Sequence, residues 1–123
     1  MITPLRYRLR STTNAATAIN VDLPQIKPGQ FARISHAAVE NESGEAVTLL
    51  LGIESQGQFD QIYAKQTVAN ADAFGVMLNL LLLEADKFRA RITGAANSST
   101  VTFIVSGELH DSSPEIVEVV TKS

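Results

Sequence analysis

Phe88, Ala90 and Ile92 alternate with Arg89, Arg91 and Thr93, and Val101, Phe103 and Val105 alternate with Thr102, Ile104 and Ser106. A period of two puts successive side chains on opposite faces of an extended strand, so each run has one apolar and one largely polar face. Pairing the runs around the Gly94–Ser99 loop, with Thr93 opposite Thr100, sets Ile92 against Val101, Ala90 against Phe103 and Phe88 against Val105. All the inward residues then agree, and a slip of one residue destroys the agreement. The pattern predicts a β-hairpin with Phe103 in the core and Thr102 on a wet outer face.

The rest of the chain carries the same texture. Leu5, Tyr7 and Leu9 alternate with Arg6, Arg8 and Arg10, which predicts an opening strand or arm, followed by a small polar loop over Ser11–Thr17. Thr17–Leu23 reads as a second strand, and Pro24 with Pro28-Gly29 forces turns. Phe31–Glu40 and Ala46–Glu54 read as another hairpin closed by Asn41–Glu45, with Val47, Leu49, Leu51 and Ile53 inward. In its first strand Ile34, His36 and Ala38 are out of phase with Ala37 and Val39, and a bulge near Ala37 reconciles them. A turn is expected around Gly57 and a strand over Phe59–Gln66, with a short helical turn competing at Val68–Ala73. Phe74–Leu83 is apolar on both faces, so it is a fully buried strand or a buried helix piece. Its shortness favours the strand.

These elements predict an all-β protein: an antiparallel two-sheet β-sandwich, jelly-roll-like, of about seven or eight strands. The expected organisation is an N-terminal strand or arm (1–16), a sandwich domain (17–109) and a C-terminal tail or arm (110–123). His110–Pro114 reads as a polar linker, and Glu115–Val120 as a short apolar-acidic piece, strand or helix.

Composition narrows the function classes. At 45% hydrophobic and 19% charged residues over 123 positions, the chain has the make-up of one folded soluble domain. A net charge of −3 argues against broad attraction to nucleic acid or an anionic membrane. No cysteine is present, which removes disulfides, thiolate chemistry and cysteine-based zinc sites. That suits a reducing compartment and equally an extracellular structural protein. The first ten residues break their apolar positions with arginines, and the longest apolar run, Val76–Leu83, is interrupted by Asn79, so neither a signal peptide nor a membrane helix is expected.

Residues in patterns that carry chemistry are few. His36 and His110 have no carboxylate or second histidine at metal-ligand spacing, and phosphate loops, nucleophile elbows and calcium loops are missing from the sequence. Asp60, Asp72, Glu84 and Asp86 read as scattered turn acids, two of which a fold can still bring together as in a glycosidase. A sugar-binding module is a further alternative, although the chain has no Trp and only Tyr7 and Tyr63. The expectation is a non-enzyme without cofactor or metal. Arg6, Arg8 and Arg10 are either a solvated edge stripe that blocks unwanted pairing or a contact for an acidic partner surface. Glu115 and Glu118 in the tail supply the opposite charge, so all five are candidate partner contacts through which a terminus docks on a neighbour.

From Gly29 to Leu109 the order of features resembles small β-sandwich virion proteins of tailed bacteriophages. The segments that carry the resemblance are GQFARISHAAVENESGEAVTLLLGI, LNLLLLEADKFRARITG and TVTFIVSGEL. The family pattern has a Gly-Asp turn before the penultimate strand, where this chain has Ala85-Asp86. The resemblance implies a virion structural protein, a capsid decoration (cement) protein or a tail or tail-fibre component, with no catalytic residue. It further implies a homo-oligomer, a trimer being favoured, bound to a virion protein such as the major capsid protein, and neither nucleic acid nor membrane as partner.

Overall fold

The computed structural model describes residues 2–13, 18–95 and 100–111. All regular structure among them is strand: β1 (Ile2–Thr12), β2 (Ile19–Asp22), β3 (Gln30–Glu42), β4 (Val47–Ser55), β5 (Gln58–Gln61), β6 (Gln66–Val68), β7 (Asp72–Leu82), β8 (Lys87–Thr93) and β9 (Thr100–Asp111). One sheet has the order β1-β9-β3-β7 and the other β2-β8-β4-β5, with β6 also pairing β4. Every pairing is antiparallel. This is the β-sandwich expected, in jelly-roll order. The strand count rises to nine because the single strand expected over Phe59–Gln66 is divided into β5 and β6, both laid on β4.

The inward residues are those that alternation selects, but their partners differ. Phe88, Ala90, Ile92, Val101, Phe103 and Val105 are all fully buried. They do not form a hairpin: β8 pairs with β2 and β4, whereas β9 pairs with β1 and β3. The two strands face each other from opposite sheets, and the Phe88 and Phe103 rings meet edge to face at 5.3 Å and 63°. The second expected hairpin fails in the same way, with β3 in one sheet and β4 in the other. The physical reason is common to both. Period two fixes which face of a strand is apolar, and a shared core accepts that face from either side.

Thr102 corrects another expectation. It lies on the outer face of β9, yet it is 1% exposed, between Arg10 of β1 and Glu40 of β3 in register. A central strand with neighbours on both sides hides a small outward side chain. His110 and Asp111 also belong to β9, where polar composition suggested a linker. Phe31 stacks on the His110 ring at 4.7 Å.

The bulge expected near Ala37 falls at Ser35. Ile34 is opposite Gly107 and His36 opposite Ser106, so Ser35 is the extra residue, and the inward set moves from Ala32 and Ile34 to Ala37 and Val39. Ser35 Oγ donates to the Ser106 carbonyl at 3.2 Å. The backbones come so close here that a Cβ on Gly107 would overlap the Arg33 carbonyl oxygen, and only glycine fits.

The β3–β4 connection is held by a buried polar cluster. Asn41 is fully buried, and its Nδ2 donates to the carbonyls of Glu45 at 2.7 Å, Val68 at 3.0 Å and Ala69 at 3.2 Å. Its Oδ1 accepts from the Ser43 backbone N–H at 3.0 Å and from the Ser43 hydroxyl at 2.6 Å. One amide thus ties together backbone groups of the β3–β4 connection and of the β6–β7 connection, and its own polar atoms are all satisfied.

The β7–β8 turn bears on the family pattern. Asp86 N–H donates to the Leu83 carbonyl at 3.0 Å, and Ala85 sits at φ +74° in the third position of the turn. That position favours glycine, which is the residue the resembled pattern has there.

Two outcomes follow for stability. Phe103→Ala is expected to cost about 3–5 kcal/mol and Thr102→Ala about 1 kcal/mol, both read by urea unfolding; equal small effects would contradict the core assignment. Ala85→Gly removes the strain of a left-handed alanine and is expected to raise stability by about 0.5–1 kcal/mol despite the added chain entropy, measured as a higher urea midpoint at unchanged slope.

Candidate interaction surfaces

Two surfaces are built by the sheet β1-β9-β3-β7, one at each edge. On β1 the inward residues are Leu5, Tyr7 and Leu9, and Arg6, Arg8 and Arg10 project outward as an exposed column. Alternation placed all three correctly. Beside them across the sheet lie Ser106, Ile104 and Thr102 of β9, then His36, Ala38 and Glu40 of β3. A groove of about 360 Å³ opens at the bulge, with Arg6, Arg33, Ser35, Ser106 and Glu108 on its walls. A second, of about 490 Å³, continues past Arg8, His36, Glu40 and Ile104. Arg33 Nη1 is engaged by Asn79 Oδ1 at 3.0 Å.

Among the described residues Arg89 pairs with Asp22, and His110 Nε2 lies 3.1 Å from Glu108 Oε2; the β1 arginines enter neither contact. Glu115 and Glu118, expected as their opposite charges, lie outside the described residues. Arg89 shows what a committed arginine looks like here. It holds Asp22 by two bonds, Nε to Oδ1 at 2.7 Å and Nη2 to Oδ2 at 2.9 Å. The hydrogen bond to Asp22 raises the Arg89 pKa, burial opposes it, and the charges of Asp22 and Glu54 add to the rise. Arg91 lies over the Phe59 ring at 4.7 Å, a cation–π contact on the outer face of the second sheet.

At the opposite edge, β7 differs from its expected placement. The two-sided apolar run Phe74–Leu83 is a strand, and it lies at the rim instead of in the centre. Phe74, Val76, Leu78 and Leu80 face inward but are only half-buried, because β6, the strand nearest on the facing sheet, is three residues long. Met77 is 76% exposed, Leu83 55% and Leu81 43%. Nothing in hydrophobic periodicity distinguishes a buried strand from an apolar edge.

The acids are spread out. Asp60 is in β5, Asp72 opens β7, and Glu84 and Asp86 sit in the β7–β8 turn. Asp72 Oδ1 accepts from the Ala73 N–H and Asp86 Oδ2 from the Leu83 N–H, both turn roles. Among the described residues no three His, Cys, Asp or Glu side chains cluster as metal ligands. All seven aromatic side chains are buried or half-buried, including Tyr7 and Tyr63, the latter packed at 5.9 Å on Phe74.

No family model matches this chain, and no curated protein does. Among solved structures, the chain is similar to a protein of the Bacillus endospore appendages described as a novel family of disulfide-linked pili, with 18% identity, a TM-score of 0.57, and coverage of 91% of this chain and 89% of that one. A structure described as PirA aligns at 9% identity and a TM-score of 0.43 over 77% of this chain and 96% of that one. A chain of infectious bursal disease virus, Gt strain, aligns at 8% identity and a TM-score of 0.34, over 89% of this chain and 32% of that one. At this identity the first likeness is one of fold, and the other two fall below the score at which folds agree.

The arginine column is expected to be free of structural duty. Replacing Arg6, Arg8 and Arg10 together with serine should change unfolding free energy by less than about 1 kcal/mol. A loss of several kcal/mol in denaturant titration would show instead that the column holds the sheet.

Proposed function

We propose that this chain is a non-enzymatic structural subunit that acts by surface contact within a larger protein assembly, and that the assembly is a tailed-phage particle. The observation that carries the reading is the apolar β7 edge, with Met77, Leu81 and Leu83 exposed beside a half-buried inner row. Exposed apolar strands of this kind mark contact sites or aggregation hazards. The cysteine-free composition makes any such assembly non-disulfide, unlike the pili of the Bacillus match.

The phage setting rests on the resemblance over Gly29–Leu109, from which the chain departs at Ala85, a left-handed alanine where the family pattern has glycine. Within a particle, decoration of the shell against the major capsid protein is the first reading and a tail or tail-fibre position the second. The resemblance favours three copies. An appendage subunit is the rival setting, since the fold is shared with one. A carbohydrate platform is less well supported, because every aromatic ring here is at least half covered.

Gold-labelled antibody against the purified chain, applied to particles from the source culture, tests the setting. Label on phage heads supports a decoration protein and label on tails the second reading. Label on thread-like appendages removes the phage setting but keeps the assembly role, and label on no particle removes both.

A further inference from the structure

We propose that β7 pairs antiparallel with β7 of a second copy, about a two-fold axis at Met77, joining two four-stranded sheets into one of eight strands. This rests on the reading of the chain as a self-associating subunit. Four edges compete for such a contact, and three are unsuited. β1 carries Pro4, which lacks an N–H, and three outward arginines, the usual devices that keep edges from pairing. β2 and β5 are four residues each, and β6, which shares the β4 edge with β5, is three. β7 is eleven residues long and uncharged from Ala73 to Leu82, and it has β3 as its one sheet partner among the described residues.

When only one edge is usable, two copies must offer the same edge to each other, which is an isologous contact. Antiparallel self-pairing has many registers, and only the one centred on Met77, the midpoint of Asp72–Leu82, pairs all eleven residues. That register sets Phe74 against Leu80 and Val76 against Leu78 on the inner face, so four half-buried apolar side chains gain cover. On the outer face it sets Ala73 against Leu81, Gly75 against Asn79 and Met77 against its own copy. The most exposed large apolar residue is thereby covered. Because the pairing residues have equal parity, both inner faces stay on the same side of the joined sheet.

The native chain has no cysteine, so single-cysteine variants report the register cleanly. In the proposed contact two copies of residue 77 are neighbours, whereas two copies of residue 81 lie eight residues, about 27 Å, apart along the strands. Met77→Cys in the full-length chain should link to a dimer with a short bismaleimide, and Leu81→Cys should not. Light scattering should give the mass of two chains for the native protein, in place of the three that the resemblance favours. Met77→Lys should weaken association about a hundredfold, by placing like charges on the axis, with an unchanged melting temperature at dilutions where both chains are monomers. A native mass of three or more chains that Met77→Lys leaves intact overturns the β7 contact but keeps self-association. A monomer at every concentration overturns both. A chain lacking residues 112–123 that dimerises when the full chain does not would make the tail the occupant of this edge, and would also overturn the proposal.

Discussion

The contact on which the structure depends is the closure of two sheets over one apolar layer, with Phe88 and Phe103 meeting across it. Those rings come from β8 and β9, sequence neighbours on opposite sides of the sandwich. Burial of the layer is non-directional and scales with apolar area, so it drives the sheets together without specifying strand order. Order is left to the connections. Apart from β4, β5 and β6, which share one sheet, consecutive strands go to alternate sheets, and β9 comes to lie between β1 and β3 with a full-length ladder on each side.

Such long ladders tolerate few irregularities, and the one at Ser35 in the β3–β9 ladder has an identifiable support. The extra residue at Ser35 is absorbed because Gly107 lets the backbones approach, and the Ser35 hydroxyl binds across the gap. Where the chain returns between the sheets, the Glu45 carbonyl of that connection and the Val68 carbonyl of β6 both accept from Asn41 Nδ2. Hydrophobic residues can do neither task, since both require a hydrogen bond or the lack of a side chain at a fixed point.

The same sheet ends in two unlike edges. β1 exposes a column of charge, and β7 an apolar rim under a facing sheet that narrows to the three-residue β6. This asymmetry gives the molecule one side that resists strand pairing and one that invites it.

Alternation along the chain was enough to determine the all-β class, the buried faces of β4, β8 and β9, the outward position of Arg6, Arg8 and Arg10, and the phase break in β3. Each of these depends on neighbours in sequence, through the two-residue repeat of an extended backbone. Which strands pair was decided only by tertiary structure. β8 and β9 present the same alternation whether they are hydrogen-bonded side by side or packed face to face, because both arrangements point Phe88 and Phe103 at the same core. For the same reason the two-sided run of β7 did not reveal itself as an edge, nor Thr102 as buried. Exposure at those positions is set by what lies beside the strand, and that neighbour comes from elsewhere in the chain.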